Sequence, residues 1–141
     1  MGNRQSVNKI NYEDMQLKIK NKSAIIINTL DTFQQNCLII GTIICSKEEE
    51  IINSNLKNLS RTIIIYGKNC NDEKIYKKYT QLINLGFTNI FLYTGGLFEW
   101  LCLQDIYGED SFPTTSKELD ILKYKSPSKF SNYSLLTNGI D

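Results

Sequence analysis

The only residues in this chain with strong nucleophilic or redox character are four cysteines, Cys37, Cys45, Cys70 and Cys102, and there is no histidine to activate them. Without an imidazole there is no Ser/His or Cys/His catalytic pair, no His-ligated metal and no haem with a histidine ligand, because each needs that ring as base or ligand. The cysteines are widely spread, form no C-x-x-C pair and follow no secretory signal. That spacing argues against a zinc site and a disulfide framework, and it predicts a reducing, cytoplasmic setting. Neither a metal nor a cofactor is expected. Cys70 is the one thiol in a plausible reactive position. It lies in the segment Gly67-Lys68-Asn69-Cys70-Asn71, between a β-branched run and a predicted helix. A helix N-terminus favours the thiolate, whereas Asp72 and Glu73 beside it oppose one.

The elements that must hold this loop follow from the apolar pattern. Asn11 to Lys20 predicts a short helix opening on an Asn cap, with Tyr12, Met15, Leu17 and Ile19 as its apolar positions. Ala24-Ile25-Ile26-Ile27 is an uninterrupted run suited to a strand buried on both faces of a parallel sheet. Leu38 to Ile44 is a second apolar patch, broken by Gly41. Ser46-Lys47-Glu48-Glu49 reads as a capping box ahead of a helix that turns Ile52, Leu56 and Leu59 inward. Strand and helix then alternate. Thr62 to Tyr66 is a strand, Asp72 to Leu85 a helix with Ile75, Tyr79 and Leu82 inward and Gly86 as its stop, and Asn89 to Tyr93 a strand. Thr94-Gly95-Gly96 turns the chain into a last helix with Leu97, Trp100 and Leu103 as its stripe. This alternation predicts an α/β domain with a mainly parallel sheet and right-handed crossovers.

A length of 141 residues allows one domain, and 41% hydrophobic against 22% charged residues is an ordinary globular balance. The expected organisation is an N-terminal arm over residues 1–9, a domain over 10–125 and a disordered tail over 126–141, where Ser, Asn and Lys prevail. The arm begins MGNRQS, which matches the myristoylation pattern M-G-x-x-x-[ST] with Gly2 as acceptor and Ser6 in place. A single myristoyl chain binds membranes only marginally, and Arg4 and Lys9 add little charge, so the expected peripheral membrane contact through Gly2 is conditional. The longest apolar stretch, Cys37 to Cys45, is less than half of the roughly 20 residues that span a bilayer. A formal charge of +1 provides no field to gather nucleic acid, and Lys74, Lys77 and Lys78 read as a solvated helix face. Cys37, Cys45 and Cys102, in apolar surroundings, are expected to be small core residues.

From Ile63 to Trp100 the chain resembles the second half of a rhodanese domain: a strand, an active-site loop, a helix ending in Leu85-Gly86-Phe87, a strand, and the G-G-x-x-x-W turn of Gly95, Gly96 and Trp100. The resemblance extends over about Ile10 to Thr115 and is weaker upstream. Asn28 stands for the family's usual acid, Leu30 for its arginine and Leu38 for its histidine, while Gly41 remains. It implies a three-layer fold with a central, mainly parallel sheet flanked by helices. In rhodaneses a cysteine directly after the central strand carries a persulfide, cradled by loop amides and a helix N-terminus that stabilise an anion. Here that position is Gly67, which has no side chain. The resemblance therefore implies an anion cradle without its nucleophile, formed by Gly67, Lys68, Asn69, Asn71 and Asp72, with Cys70 on its rim.

Some phosphatases on this fold use a cysteine, five residues and an arginine, but the residue six beyond Cys70 is Tyr76, so the arginine clamp is missing. Asp72 and Glu73 suit the first turn of a helix but repel a bound anion: a carboxylate about 5 Å from a second charge costs roughly 3 kcal/mol at an effective dielectric near 20, against about 0.3–2 kcal/mol gained from the dipole. Two functions follow. The first is a catalytically degenerate module that binds or regulates an unidentified protein or a small sulfur-containing anion. The second is a working sulfurtransferase with Cys70 as persulfide carrier. A redox-sensing Cys70 without sulfur transfer is a third and weaker reading.

Overall fold

A computed structural model of the chain describes residues 7–130. Five strands, β1 (Lys9–Ile10), β2 (Ile25–Asn28), β3 (Thr42–Ile43), β4 (Ile63–Tyr66) and β5 (Ile90–Tyr93), form a sheet in the order β1-β5-β4-β2-β3, with every pair parallel. The helices are α1 (Tyr12–Asn21), α2 (Cys45–Ser54), α3 (Lys74–Asn84) and α4 (Gly96–Tyr107), with short 3-10 turns at Thr32–Gln34 and Ile121–Tyr124.

The isoleucine runs become strands because both their faces are covered. Alternate side chains point to opposite sides. Ile25, Ile27, Ile63, Ile65, Ile90 and Leu92 pack beneath Ile52 of α2 and Ile75 and Leu82 of α3. Ile26, Ile64, Tyr66 and Tyr93 pack beneath Met15 of α1 and Leu97, Trp100 and Leu101 of α4. This is the α/β arrangement the alternation implied, in the three layers the resemblance implied.

Several local expectations are met and several are corrected. Asn11 caps α1 in a full capping box with Asp14. Ser46 does not cap α2, which begins at Cys45 with Ile44 as its N-cap, two residues earlier than expected, and the Cys45 amide finds the Gln35 side chain at 2.9 Å. Ile52 is buried, but Leu56 and Leu59 are exposed since α2 ends at Ser54. Leu17 likewise faces solvent, while in α4 Leu103 packs partly buried against the core as expected and Leu101 joins Leu97 and Trp100 as a fully buried residue. Cys37 is buried, whereas Cys45 and Cys102 are only partly covered. Lys9, assigned to the arm by sequence, pairs with Leu92 in β1, and the Leu92 amide reaches Asn8 O. Gly2 and the tail beyond Phe130 lie outside the described residues.

The strand order reverses between β2 and β4, so the segments leaving their C-terminal ends diverge. In open parallel sheets this crevice is where ligands bind. Asn28 pairs with Tyr66 at the strand ends, and the Thr29 amide donates to Tyr66 O at 3.0 Å. Thr29 and Gly67 are therefore brought side by side.

Candidate functional site

The loop begins at Gly67, directly after β4, and runs through Asp72 to α3. It is held from below by α4. The amides of Leu97 and Phe98, in the first turn of that helix, donate to Gly67 O and Lys68 O, each at 2.9 Å. Gly96 makes this approach possible. Its φ is +72°, and a Cβ there would stand 2.9 Å from Asn69 N and from Gly67 O. The Gly95-Gly96 turn anchors the loop, and two of the unpaired donors at the start of α4 are consumed by loop carbonyls.

Asn69 is buried and pins the middle of the loop. Its side-chain amide donates to Tyr124 O at 2.8 Å, and its carbonyl oxygen accepts from the Asn71 amide at 2.9 Å. The next residue, Cys70, is exposed, and its Sγ is 4.0 Å from Asn71 Oδ1. Its thiol thus stands outside the loop.

The interior of the loop belongs to Asp72. Its Oδ2 accepts from the Lys68 amide at 3.0 Å and from the Thr29 hydroxyl at 3.1 Å, and its Oδ1 accepts from the Lys74 amide at 3.0 Å. A Cβ placed on Gly67 would lie 2.8 Å from the Asp72 carboxyl carbon and 2.9 Å from Thr29 Oγ1. The carboxylate occupies the space beside Gly67 into which a side chain at that position would project. α3 starts at Lys74 rather than Asp72: Asp72 Oδ1 accepts from the first helical amide while Oδ2 reaches into the loop, and the N-cap Glu73 makes no side-chain cap. Neither Lys68 nor Lys74 forms an ion pair with Asp72. Lys74 Nζ instead meets Asp31 at 3.3 Å, and Lys68 contributes its backbone amide.

Upstream, Asn28 at the end of β2 forms an amide pair with Gln35. Asn28 and Gln35 exchange hydrogen bonds at 2.8 and 3.0 Å, and Asn28 also donates to Ile43 O. The pair ties β2 to β3 and to the start of α2 without charge. Thr29, Gln35 and Tyr124 were not singled out by sequence. Thr29 could have been, because it follows the predicted strand and so must lie at a strand end. The contacts of Gln35 and Tyr124 join distant segments and leave no local signal.

A cleft of about 380 Å³ runs beside the loop, lined by Thr29, Cys45, Glu48 and the Lys74, Lys77 and Lys78 stripe of α3. Two of those lysines are neutralised, Lys74 by Asp31 and Lys78 by Glu48 at 2.5 Å. Among the described residues no group of three His, Cys, Asp or Glu side chains is placed to hold a metal ion, and no helix is long and apolar enough to cross a membrane.

Beneath the site, Tyr66 is buried and fully bonded. The Thr42 hydroxyl donates its proton to Ile39 O at 2.6 Å, so the Tyr66 hydroxyl donates to Thr42 Oγ1 at 2.9 Å while accepting from the Ile39 amide at 3.1 Å. Burial pushes the Tyr66 hydroxyl far above its usual pKa. Tyr93 is also raised, first by burial and then by the Glu99 carboxylate it donates to at 2.6 Å.

The architecture is that of rhodanese-like domains. The chain is similar to the Alr3790 protein from Anabaena sp., with 19% identity over 92% of this chain and 93% of that one, and a TM-score of 0.56. The solution structure of the rhodanese-like domain of Alr3790 matches at 19% identity over 88% and 87% of the two chains, again with a TM-score of 0.56. The BH2092 protein from Bacillus halodurans matches at 20% identity over 91% and 89%, with the same TM-score. No protein-family model and no curated protein matches the sequence. At these identities the likeness establishes the fold, and the chain has a rhodanese-like fold.

Proposed function

We propose that this chain is a rhodanese-like module without sulfur-transfer activity, which acts by binding another protein in a regulatory role. The observation that carries this reading is the pair Gly67 and Asp72. The first residue after β4 offers no nucleophile, and a carboxylate already accepts the hydrogen bonds of the loop interior. A thiosulfate or persulfide anion entering there would meet a like charge, which costs more than a helix terminus returns. Of the two partners considered, a protein is therefore favoured over a small sulfur-containing anion. The N-terminal motif supports a myristoyl anchor on Gly2 and reversible, peripheral attachment in the cytoplasm.

The test is the transfer of sulfur from thiosulfate to cyanide, read as thiocyanate, in the parent and in Cys70→Ser. No turnover in either is expected. The competing reading rests on the exposure of Cys70. In it the Cys70 thiolate attacks the sulfane sulfur, the S–S bond of thiosulfate breaks and sulfite leaves. Cyanide then removes the terminal sulfur as thiocyanate and regenerates the thiolate. Turnover in the parent that disappears in Cys70→Ser would establish this enzyme and end the module reading. The anchor is tested by intact mass after co-expression with a myristoyltransferase, where an unmodified Gly2 would remove it.

A further inference from the structure

We propose that the outer face of α4 is a docking surface for a cationic amphipathic helix of a partner protein. This rests on the reading of the chain as a module that binds another protein, and it names the surface and the chemistry that surface takes. α4 is apolar on both sides. Leu97, Trp100, Leu101 and Gln104 recur at the i, i+3, i+4 and i+7 spacing of one helix face, and all four are buried. The opposite face carries Cys102, Leu103 and Ile106. Ile106 is 69% exposed, with Tyr107 beside it at 67%. A helix with one apolar face needs one cover, and a helix that is apolar all round needs two. The sheet supplies the first, and among the described residues Ile106 has no second.

The charges on this helix are of one sign. α4 contains no lysine or arginine, although α1, α2 and α3 all do. Gln104 points inward, donating to Phe112 O and Thr114 Oγ1, so the charged groups left to solvent are Glu99, which also accepts from the Tyr93 hydroxyl, and Asp105. Both stand near Cys102, whose thiol is raised first by burial and then by Asp105 and Glu99. Neither acid belongs to an ion pair among the described residues. Asp105 is also badly placed for its own helix, because the last turn of a helix is its negative end. A lysine or arginine from a partner would pair with Asp105 and offset that repulsion. An apolar strip beside two acids is therefore complementary to a helix whose apolar strip is flanked by cations. An anionic membrane surface carries the wrong charge for this face. A second copy docking through its own α4 would set the same acids against each other.

The test is a titration of the full chain with a synthetic helical peptide of leucine and lysine, its leucines at i, i+3, i+4 and i+7, followed by backbone amide shifts. A peptide with glutamate in place of lysine and a scrambled peptide of the same composition are the controls. Saturable movement centred on residues 102–107 is expected with the first peptide only. Asp105→Lys should weaken that binding on the order of tenfold at low salt and much less at high salt, where the charges are screened. Ile106→Gln should weaken it on the order of tenfold at either salt, since it removes apolar contact and no charge. Both side chains are exposed, so the fold should hold, and the mapping on the parent decides by itself if either variant is lost. Absence of movement at α4 would overturn the proposal, as would equal binding of the glutamate or scrambled peptide, or binding indifferent to both variants. Self-association of the parent that Ile106→Gln abolishes would assign the face to a second copy, and attachment to phosphatidylserine vesicles lost in Ile106→Gln would assign it to a membrane; either result ends the proposal. The two claims fail separately. Thiocyanate production by the parent removes the inactive reading and leaves this face untouched, and indifference of α4 to the cationic peptide removes only the surface.

Discussion

The Asp72 carboxyl carbon lies 2.8 Å from the point at which Gly67 would carry a Cβ, and Thr29 Oγ1 lies 2.9 Å from the same point. Glycine and aspartate, five positions apart in the loop, therefore form a matched pair: one withholds a side chain and the other fills the room. Neither can be read alone. The acid that by sequence promises to repel an anion from the loop is itself the anion inside it.

Restoring a cysteine is consequently not enough to restore chemistry. Gly67→Cys should destabilise the domain by about 1–3 kcal/mol through overpacking against Asp72 and Thr29, and it should remain inactive in the thiocyanate assay. The double variant Gly67→Cys/Asp72→Ala should recover part of that stability in urea melts. A single Gly67→Cys of parental stability would show that the loop yields more readily than its contacts imply.

Gly96 holds the loop on α4 through a left-handed backbone and a close approach at once. Gly96→Ala combines the strain of φ +72° with a Cβ 2.9 Å from two backbone atoms, and a loss of roughly 2–5 kcal/mol is expected. Gly108→Ala is the control. It has φ +102° but open space around it, so its cost should be confined to backbone strain. Equal losses at the two sites in chemical denaturation would mean that contact with the loop contributes nothing.

The alkaline limit of stability is set by Tyr66 and Tyr93. Both hydroxyls have native pKa values raised by burial, so the native state keeps protons that the unfolded chain releases above about pH 10. The unfolded state then binds fewer protons, and stability falls as pH rises. The slope is about 1.4 kcal/mol per pH unit for each tyrosine until its native pKa is reached. Tyr66→Phe should flatten this slope, while costing about 1–3 kcal/mol at neutral pH by leaving the Ile39 amide unpaired. A tyrosinate absorbance titration in which Tyr66 and Tyr93 ionise together with the exposed tyrosines, without unfolding, would refute it.

Thiol reactivity should follow the loop geometry. Cys70 is exposed and should react first with a disulfide reagent, and Cys70→Ser should delete that phase. Cys37 should react only on unfolding, since burial both covers it and pushes its thiol pKa up. Cys102 is held back by burial and then by Asp105 and Glu99. A parent protein whose fast phase survives Cys70→Ser would place the reactive thiol elsewhere.

What the sequence determined by itself is what depends on near neighbours along the chain. Uninterrupted runs such as Ile63-Ile64-Ile65 mark strands buried on both faces, Asn11 marks the start of α1, and Gly95-Gly96 ahead of Trp100 marks a turn into the last helix. Gly67 showed, from its place after β4, that no nucleophile stands there. The helix starts at Cys45 and Lys74 were misjudged for a single reason: their amides are satisfied in part from outside the helix, by Gln35 in one case and by the Asp72 carboxylate in the other. Only the tertiary structure could decide the fate of Asp72. A carboxylate at the head of a helix can serve the helix amides alone or also reach into the loop before it, and Asp72 does both: Oδ1 accepts from the Lys74 amide, and Oδ2 accepts from the Lys68 amide and the Thr29 hydroxyl. Thr29 lies 43 residues away in sequence and reaches the loop only because β2 and β4 are neighbours in the sheet.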